Sequence, residues 1–253
     1  MPGPDRTFLT VAEVLKSIQR ALDRRQPFSL VRVGDGENIV LAQDSVMSLE
    51  EVLATKWAIG ANKGEKGVTL PNLKLRDEMV ECLNKANIVG IPFWDNDPII
   101  ADPSLKRALT EKTFEALHVR PKQVCHTFVN RVFAQKPEFW SMLEGKRVAL
   151  ISGWADQVSE ILSGPPYNLQ IAFTINFKHY RKMERALVKM ERKKDQFDIA
   201  LLSCGVNAVV LAPLIAEQTG KVALDFGKSL MFIVKKKAGL EHSSHQATKD
   251  MLP

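Results

Sequence analysis

The chain has 253 residues, is 45% hydrophobic and 25% charged, and carries a net charge of +6. That length allows one large α/β domain or two small ones and buries a full core without disulfide or metal staples. The three cysteines, Cys82, Cys125 and Cys204, lie far apart with no CxxC pair, which argues against a disulfide framework or a zinc ribbon and fits a reducing cytoplasm. The N-terminus lacks a signal segment and no apolar run approaches the length of a membrane span, so a cytoplasmic protein is expected. The moderate positive charge suits an anionic substrate such as a sugar nucleotide, and equally an anionic membrane surface; no nucleic-acid partner is required, and peripheral membrane contact and oligomer formation stay open.

In chain order, residues 1–9 read as a loose lead. Thr10-Val-Ala-Glu13 is a capping box, and the helix it starts ends near Arg24-Arg25. Phe28 to Val33 is a short apolar, β-branched strand that stops at Gly34-Asp35-Gly36, where two glycines suggest positive φ and a sharp turn. Asn38 to Gln43 predicts a short helix, Ser48 to Trp57 another, and Gly60 to Gly67 a Gly/Lys loop that matches no Walker A motif. Pro71 to Ala86 is a helix, Asn87 to Ile91 a buried strand, and Phe93 to Asp97 an aromatic and acidic loop at that strand's exit. Ser104 to Leu117 predicts a helix, Gln123 to Val129 a strand, Pro137 to Glu144 a short helix and Arg147 to Ile151 a strand. A helix at Ala155 to Leu162, a strand at Leu169 to Thr174 and a long basic helix at Phe177 to Lys194 follow. Phe197 to Leu202 is a strand, Val206 to Thr219 a helix with Pro213 inside it, and Lys221 to Leu224 the last strand. Strand and helix alternate about seven times, which predicts a single α/β domain over 1–237. Its expected form is a Rossmann-like, mainly parallel sheet with helices on both faces, followed by a polar tail over 238–253.

In such a sheet, ligands sit at the carboxyl ends of the strands. The strand exits carry Arg32, Gly34, Asp35, Gly36 and Glu37; Asn130 and Arg131; Ser152 and Gly153; Ser203, Cys204 and Gly205; and Asp225, Gly227 and Lys228. Glycines there let backbone N–H groups approach phosphate, and arginines pair with phosphate oxygens. Two carboxylates one residue apart, Asp35 and Glu37, suit a hard cation shared with a phosphorylated ligand. The plainer alternative is a Gly-Asp-Gly hairpin turn with surface charges. For Arg131 the alternatives are an anion ligand or a salt bridge to Asp225 or another carboxylate. His126, inside a strand, reads first as a satisfied core residue. Cys204 beside Gly205 reads as a small filler at a tight turn. Of the tryptophans, Trp94 stands out because its loop follows a strand.

The block Arg32-Val-Gly-Asp-Gly-Glu37, after an opening helix and strand, resembles the signature of the GT-D-type glycosyltransferases, bacterial enzymes with a single Rossmann-like domain and an Asp-x-Glu metal motif. Thr127-Phe-Val-Asn-Arg131, Gly145-Lys-Arg-Val-Ala-Leu-Ile151, Asp198 to Gly205 with Asn207-Ala208, and Gly220 to Gly227 are similar to further blocks of that family in the same order. The resemblance spans roughly residues 10 to 230. It implies a hexosyltransferase-type enzyme that moves a sugar from a nucleotide-sugar donor, UDP-linked, to a glycan or protein acceptor with Mn²⁺ or Mg²⁺. It also implies Asp35 and Glu37 as metal and diphosphate residues, and on this chain Asp35, Glu37 and Lys228 are the expected catalytic residues. Substrate and nucleotide contacts are expected from Arg32, Gly34, Gly36, Asn130, Arg131, Ser152, Gly153, Cys204, Gly205, Asp225 and Gly227. This chain departs from the family where many members have a histidine: Lys228 can stabilise a leaving diphosphate but is a different kind of base. Two other functions remain open, a non-catalytic nucleotide-sugar-binding module or partner subunit and a phosphatase-like or nucleotide-hydrolysing enzyme using the same carboxylates.

Overall fold

A computed structural model describes residues 7–239. Its strands are β1 (Phe8–Leu9), β2 (Phe28–Arg32), β3 (Ile88–Ile91), β4 (Val124–His126), β5 (Arg147–Ser152), β6 (Gln170–Asn176), β7 (Ile199–Ser203) and β8 (Val222–Asp225). They form one sheet in the order β1-β4-β3-β2-β8-β7-β5-β6, parallel at every pairing. The helices are α1 (Val11–Arg24), α2 (Asp35–Ala42), α3 (Leu49–Ala54), α4 (Lys56–Asn62), α5 (Leu73–Lys85), α6 (Arg107–Ala116), α7 (Val129–Phe133), α8 (Pro137–Ser141), α9 (Ala155–Leu162), α10 (Met183–Arg192), α11 (Ala208–Thr219) and α12 (Ser229–Lys237).

Side chains along a strand point alternately to the two sheet faces, and both faces are covered. Leu30, Leu150, Leu201 and Leu224 join a core under α1, α7, α8, α9 and α12. Val31, Ile151, Leu202 and Ala223 join the opposite core under α2, α5, α6, α10 and α11. The expected single α/β domain, with a parallel sheet between two helical layers, is the observed architecture. α11 is buried around nearly its whole circumference because it packs on β2, β8 and α5 together.

Several boundaries differ from expectation. Phe8 and Leu9 are not a loose lead but pair with Val124 and Cys125, extending the sheet by one strand. The predicted 123–129 strand ends at His126, and Val129 already begins α7, so Asn130 and Arg131 sit on a helix. Gly60 lies inside α4 instead of opening a loop. β6 runs on to Asn176, opposite Ser152 in the register, and this delays the basic helix to Met183. Residues 229–237 form α12, whose Leu230 and Ile233 are buried under the sheet. The expected polar tail lies, from residue 240 onward, outside the described residues.

Candidate functional site

The chain leaves β2 to one side towards β3 and β4, and later strands fill the other side through β8. Neighbouring connections thus diverge at the carboxyl ends of β2 and β8, where an open parallel sheet forms its crevice.

The turn after β2 is not a positive-φ hairpin. Gly34 is extended, with φ −114° and ψ −162°, and serves as the N-cap of α2, which begins at Asp35, three residues earlier than expected. Glu37 reaches back so that its Oε2 accepts the Gly34 N–H at 2.9 Å. Gly36 lies within the helix, and a Cβ there would stand 2.6 Å from Cε2 of the Trp57 indole, so the glycine is required for that packing. Two carboxylates therefore occupy the first turn of a helix, where the macrodipole favours negative charge.

Arg32 is threaded between two glycines. Its Cγ is 3.1 Å from where a Cβ of Gly90 would be, and its Cζ 2.7 Å from that of Gly227. Its guanidinium donates to Asp225 Oδ1 at 3.1 Å and to the Thr127 carbonyl at 3.1 Å. Asp225 Oδ1 also accepts the Gly227 N–H at 2.9 Å, which holds Gly227 at φ +52°. Arg32 Nε and Asp225 Oδ2 are buried with no protein partner. Asp225 thus pairs with Arg32 and not with Arg131.

Arg131 has no carboxylate partner among the described residues. Its guanidinium lies 3.6 Å from the Phe128 ring centroid, and its Nε is buried without an acceptor. Burial, with a smaller push from Arg32, brings its pKa down to about 10, while Asp35 pulls the other way. Lys228, exposed at the exit of β8, is also lowered, first by desolvation and then by Arg131 and Lys66, with Asp35 and Glu37 opposing. Glu37 is raised to about 7, mainly by burial; Arg32 opposes, and Asp225 and Asp35 push further up. Asp35, Glu37, Arg131 and Lys228, from three separate strand exits, therefore form one electrostatic cluster, with Lys66 of the Gly/Lys loop at its margin.

Other expected residues take different positions. Asn130 is fully buried beneath Gly227, its Nδ2 3.5 Å from Ser229 Oγ and its Oδ1 unpartnered. The Cys204 thiol faces the core and donates to the Ile151 carbonyl at 3.2 Å; burial first, then Asp225, holds its pKa well above the ordinary thiol value. Gly205 adopts φ +57°, with the Lys66 carbonyl oxygen 3.5 Å from its would-be Cβ. Ser203 Oγ donates to the Gly227 carbonyl and ties β7 to the β8 exit. Ser152 is buried, its Oγ accepting the Trp154 N–H at 3.1 Å. With Gly153 it stands two strands beyond β8, and no hydrogen bond links the pair to the charged cluster. His126 is a satisfied core residue: Nδ1 accepts the Phe128 N–H at 3.1 Å, which leaves the proton on Nε2 for Asp97 at 2.9 Å.

Sequence patterns did not reveal the Arg32–Asp225 pair or the nearness of Lys66. The available signal was a lone charge in each of two apolar strands, but no local rule pairs strands so distant in sequence. An open depression lined by Gln19, Pro137 and Lys146 lies towards the amino edge of the sheet, remote from these groups.

The profile of the GT-D fold-like domain matches residues 9–233. The chain belongs to the GT-D-like family. No curated protein matches it. Among solved structures, a "new glycosyltransferase (DUF1792)" from Streptococcus sanguinis is similar with a TM-score of 0.60 and 16% identity, over 94% of this chain and 87% of that one. A domain of unknown function 1792 with "a distinct glycosyltransferase fold" gives 0.54 and 17% over 92% and 82%, and a selenomethionine-substituted structure of that domain gives 0.56 and 17% over the same shares. At these identities the likeness shows a shared fold. In this GT-D-like chain no group of three or more His, Cys, Asp or Glu among the described residues is arranged to hold a metal. No described helix is long and apolar enough to cross a membrane.

Proposed function

We propose that this GT-D-like protein is a hexosyltransferase-type glycosyltransferase that takes a sugar from a UDP-linked donor to a glycan, glycoprotein or similar acceptor, in the cytoplasm. The observation that carries this is the convergence of Asp35, Glu37, Arg131 and Lys228 at neighbouring strand exits, with Arg131 buried against an aromatic ring and lacking a carboxylate. A half-buried guanidinium with no carboxylate in direct contact is costly, and a diphosphate supplies that contact in bidentate form.

Asp35 and Glu37 would hold Mn²⁺ or Mg²⁺. Glu37 spends one oxygen on the Gly34 N–H. The protein thus offers a partial ligand set, which fits a hard cation whose shell is completed by phosphate oxygens and water. When bound, the cation supplies charge neutralisation at the leaving diphosphate.

In the transfer, the bond from the sugar C1 to the diphosphate oxygen breaks, the acceptor hydroxyl oxygen bonds to C1, and the hydroxyl proton is released. Negative charge grows on the diphosphate. Arg131 and Lys228 are the groups that would stabilise it, and a preorganised group of this kind typically contributes about 10²–10³ in rate.

The test is incubation with UDP-sugars and Mn²⁺, with UDP release followed in the presence and absence of glycan acceptors. Acceptor-dependent release is the expected result; acceptor-independent hydrolysis at full rate would overturn the reading. Lys228, in place of the family's histidine, favours one second reading, a nucleotide-sugar-binding module without turnover. UDP binding with no release from any donor would establish it instead.

A further inference from the structure

We infer that Trp94 and its flanking residues Asp95 and Asn96 form a saccharide-binding platform for the acceptor. The inference rests on the glycosyltransferase reading. Trp94 is 48% exposed, although large aromatic side chains are ordinarily tucked away in a soluble chain. It sits just past the carboxyl end of β3, the strand beside β2, so one strand spacing of about 5 Å separates its strand from the one that leads into Asp35.

The loop that carries Trp94 is built to hold still. Asp97 Oδ2 accepts the Phe93 N–H at 2.7 Å and the His126 Nε2–H at 2.9 Å, and its Oδ1 accepts the Ile99 N–H at 2.8 Å. The Phe93 and His126 rings lie 4.2 Å apart between centroids, tilted by 37°. The Arg107 guanidinium, itself buried, lies 5.2 Å from the Trp94 ring centroid and backs the indole.

The same loop is tied to the carboxylate helix. Asn38, next to Glu37, is fully buried and donates to the carbonyls of Leu105 and Lys106 at 2.9 and 3.1 Å. Lys106 Nζ in turn reaches the Asp97 carbonyl at 3.4 Å. The indole is thus held at a set position relative to Asp35 and Glu37. A fixed aromatic face, negative at its centre, attracts the partly positive C–H face of a pyranose as it does the positive edge of another ring. Asp95 and Asn96, both exposed, offer a carboxylate and an amide to the hydroxyls at the rim of such a ring. A flat apolar surface bordered by short polar side chains matches a sugar better than an extended apolar partner. Its place at the exit of β3, between the exits of β2 and β4 that carry Asp35 and Arg131, sets a sugar stacked on it beside the donor cluster.

The test uses the full chain and methyl glycosides and disaccharides of glucose, galactose and N-acetylglucosamine, with binding followed by saturation-transfer NMR. Trp94→Ala is expected to weaken saccharide binding by about tenfold, the loss of one stacking contact, and Trp94→Phe to restore most of it. UDP affinity, measured by calorimetry on the same variant, is expected to stay within about twofold. A loss of UDP affinity in Trp94→Ala as large as the loss of saccharide affinity would assign the indole to the nucleotide and overturn the proposal. If the wild-type protein binds UDP but none of these saccharides, or if Trp94→Ala binds them unchanged, the platform is overturned and the donor reading stands. If the saccharides bind and UDP does not, the donor reading fails on its own. A Trp94→Ala variant that turns a dimer into a monomer in sedimentation, with saccharide binding intact, would assign the patch to a second copy of the chain and overturn the proposal.

Discussion

Arg32 and Asp225 are 193 positions apart in sequence and meet at 3.1 Å, where β2 lies beside β8. Asp225 is 1% exposed and the Arg32 side chain 12%. The pair fastens the two strands whose exits carry Asp35, Glu37 and Lys228. Removing one partner of a buried pair strands the other charge, so Asp225→Asn should cost about 3–5 kcal/mol in unfolding free energy. Urea titration checks this; a loss below about 1 kcal/mol, the worth of a surface pair, would show that the pair does not hold this edge.

Arg131 should respond differently. Among the described residues it has no carboxylate contact to lose, and its burial already disfavours its charge. Arg131→Ala is therefore expected to cost no more than the contact with the Phe128 ring, about 0.5–2 kcal/mol, while raising the UDP dissociation constant by about tenfold or more, the loss of a charge-assisted hydrogen bond. Calorimetric titration beside a thermal melt separates the two effects. Unchanged UDP affinity would remove Arg131 from the donor site.

Much of this fold was legible because its signals are local. The Thr10–Glu13 capping box forms as its spacing implies, with Glu13 Oε2 accepting the Thr10 N–H at 2.8 Å and Thr10 Oγ1 accepting the Glu13 N–H at 3.2 Å. The apolar strands and amphipathic helices followed from their periods. What stayed hidden depends on tertiary partners. Gly34 and Gly36 look like turn formers, yet Trp57, from another helix, needs the bare Gly36 backbone and Glu37 caps the helix start, so the segment is helical from Asp35. Two-residue β1 exists only because β4 pairs with it. In the site, residue types and strand exits pointed to the charged cluster, but not that Arg32, counted among its ligands, spends two nitrogens on Asp225 and Thr127.

The carboxylates of α2 should be separable from the fold. Asp35 lies at the first helical position with its side chain half-exposed, and Glu37 caps through one oxygen. Asp35→Ala is expected to abolish Mn²⁺-dependent UDP binding with little change in melting temperature. Glu37→Ala should do the same with an added loss of about 1 kcal/mol for the missing cap. UDP affinity in Mn²⁺ equal to wild type in both variants would remove the metal assignment.

Glu37 also makes a pH prediction. Its pKa in the fold is raised from 4.5 to about 7, chiefly by burial, with Asp225 and Asp35 adding to it and Arg32 and the Gly34 N–H holding it back. The folded state therefore binds this proton more tightly than the unfolded chain does. The stabilising contribution is complete below about pH 4.5 and is lost as the pH rises through about 7. Glu37→Gln mimics the protonated form, so in metal-free buffer the wild type should lose stability relative to this variant across that window. Cation binding asks for the opposite protonation state: Mn²⁺-dependent UDP affinity of the wild type should strengthen as the pH passes upward through 7, because the carboxylate must be ionised to serve as a ligand. Urea midpoints for both proteins from pH 5 to 8, beside UDP titrations in Mn²⁺ over the same range, test both halves. A stability difference that stays flat with pH would show that Glu37 titrates in its ordinary range.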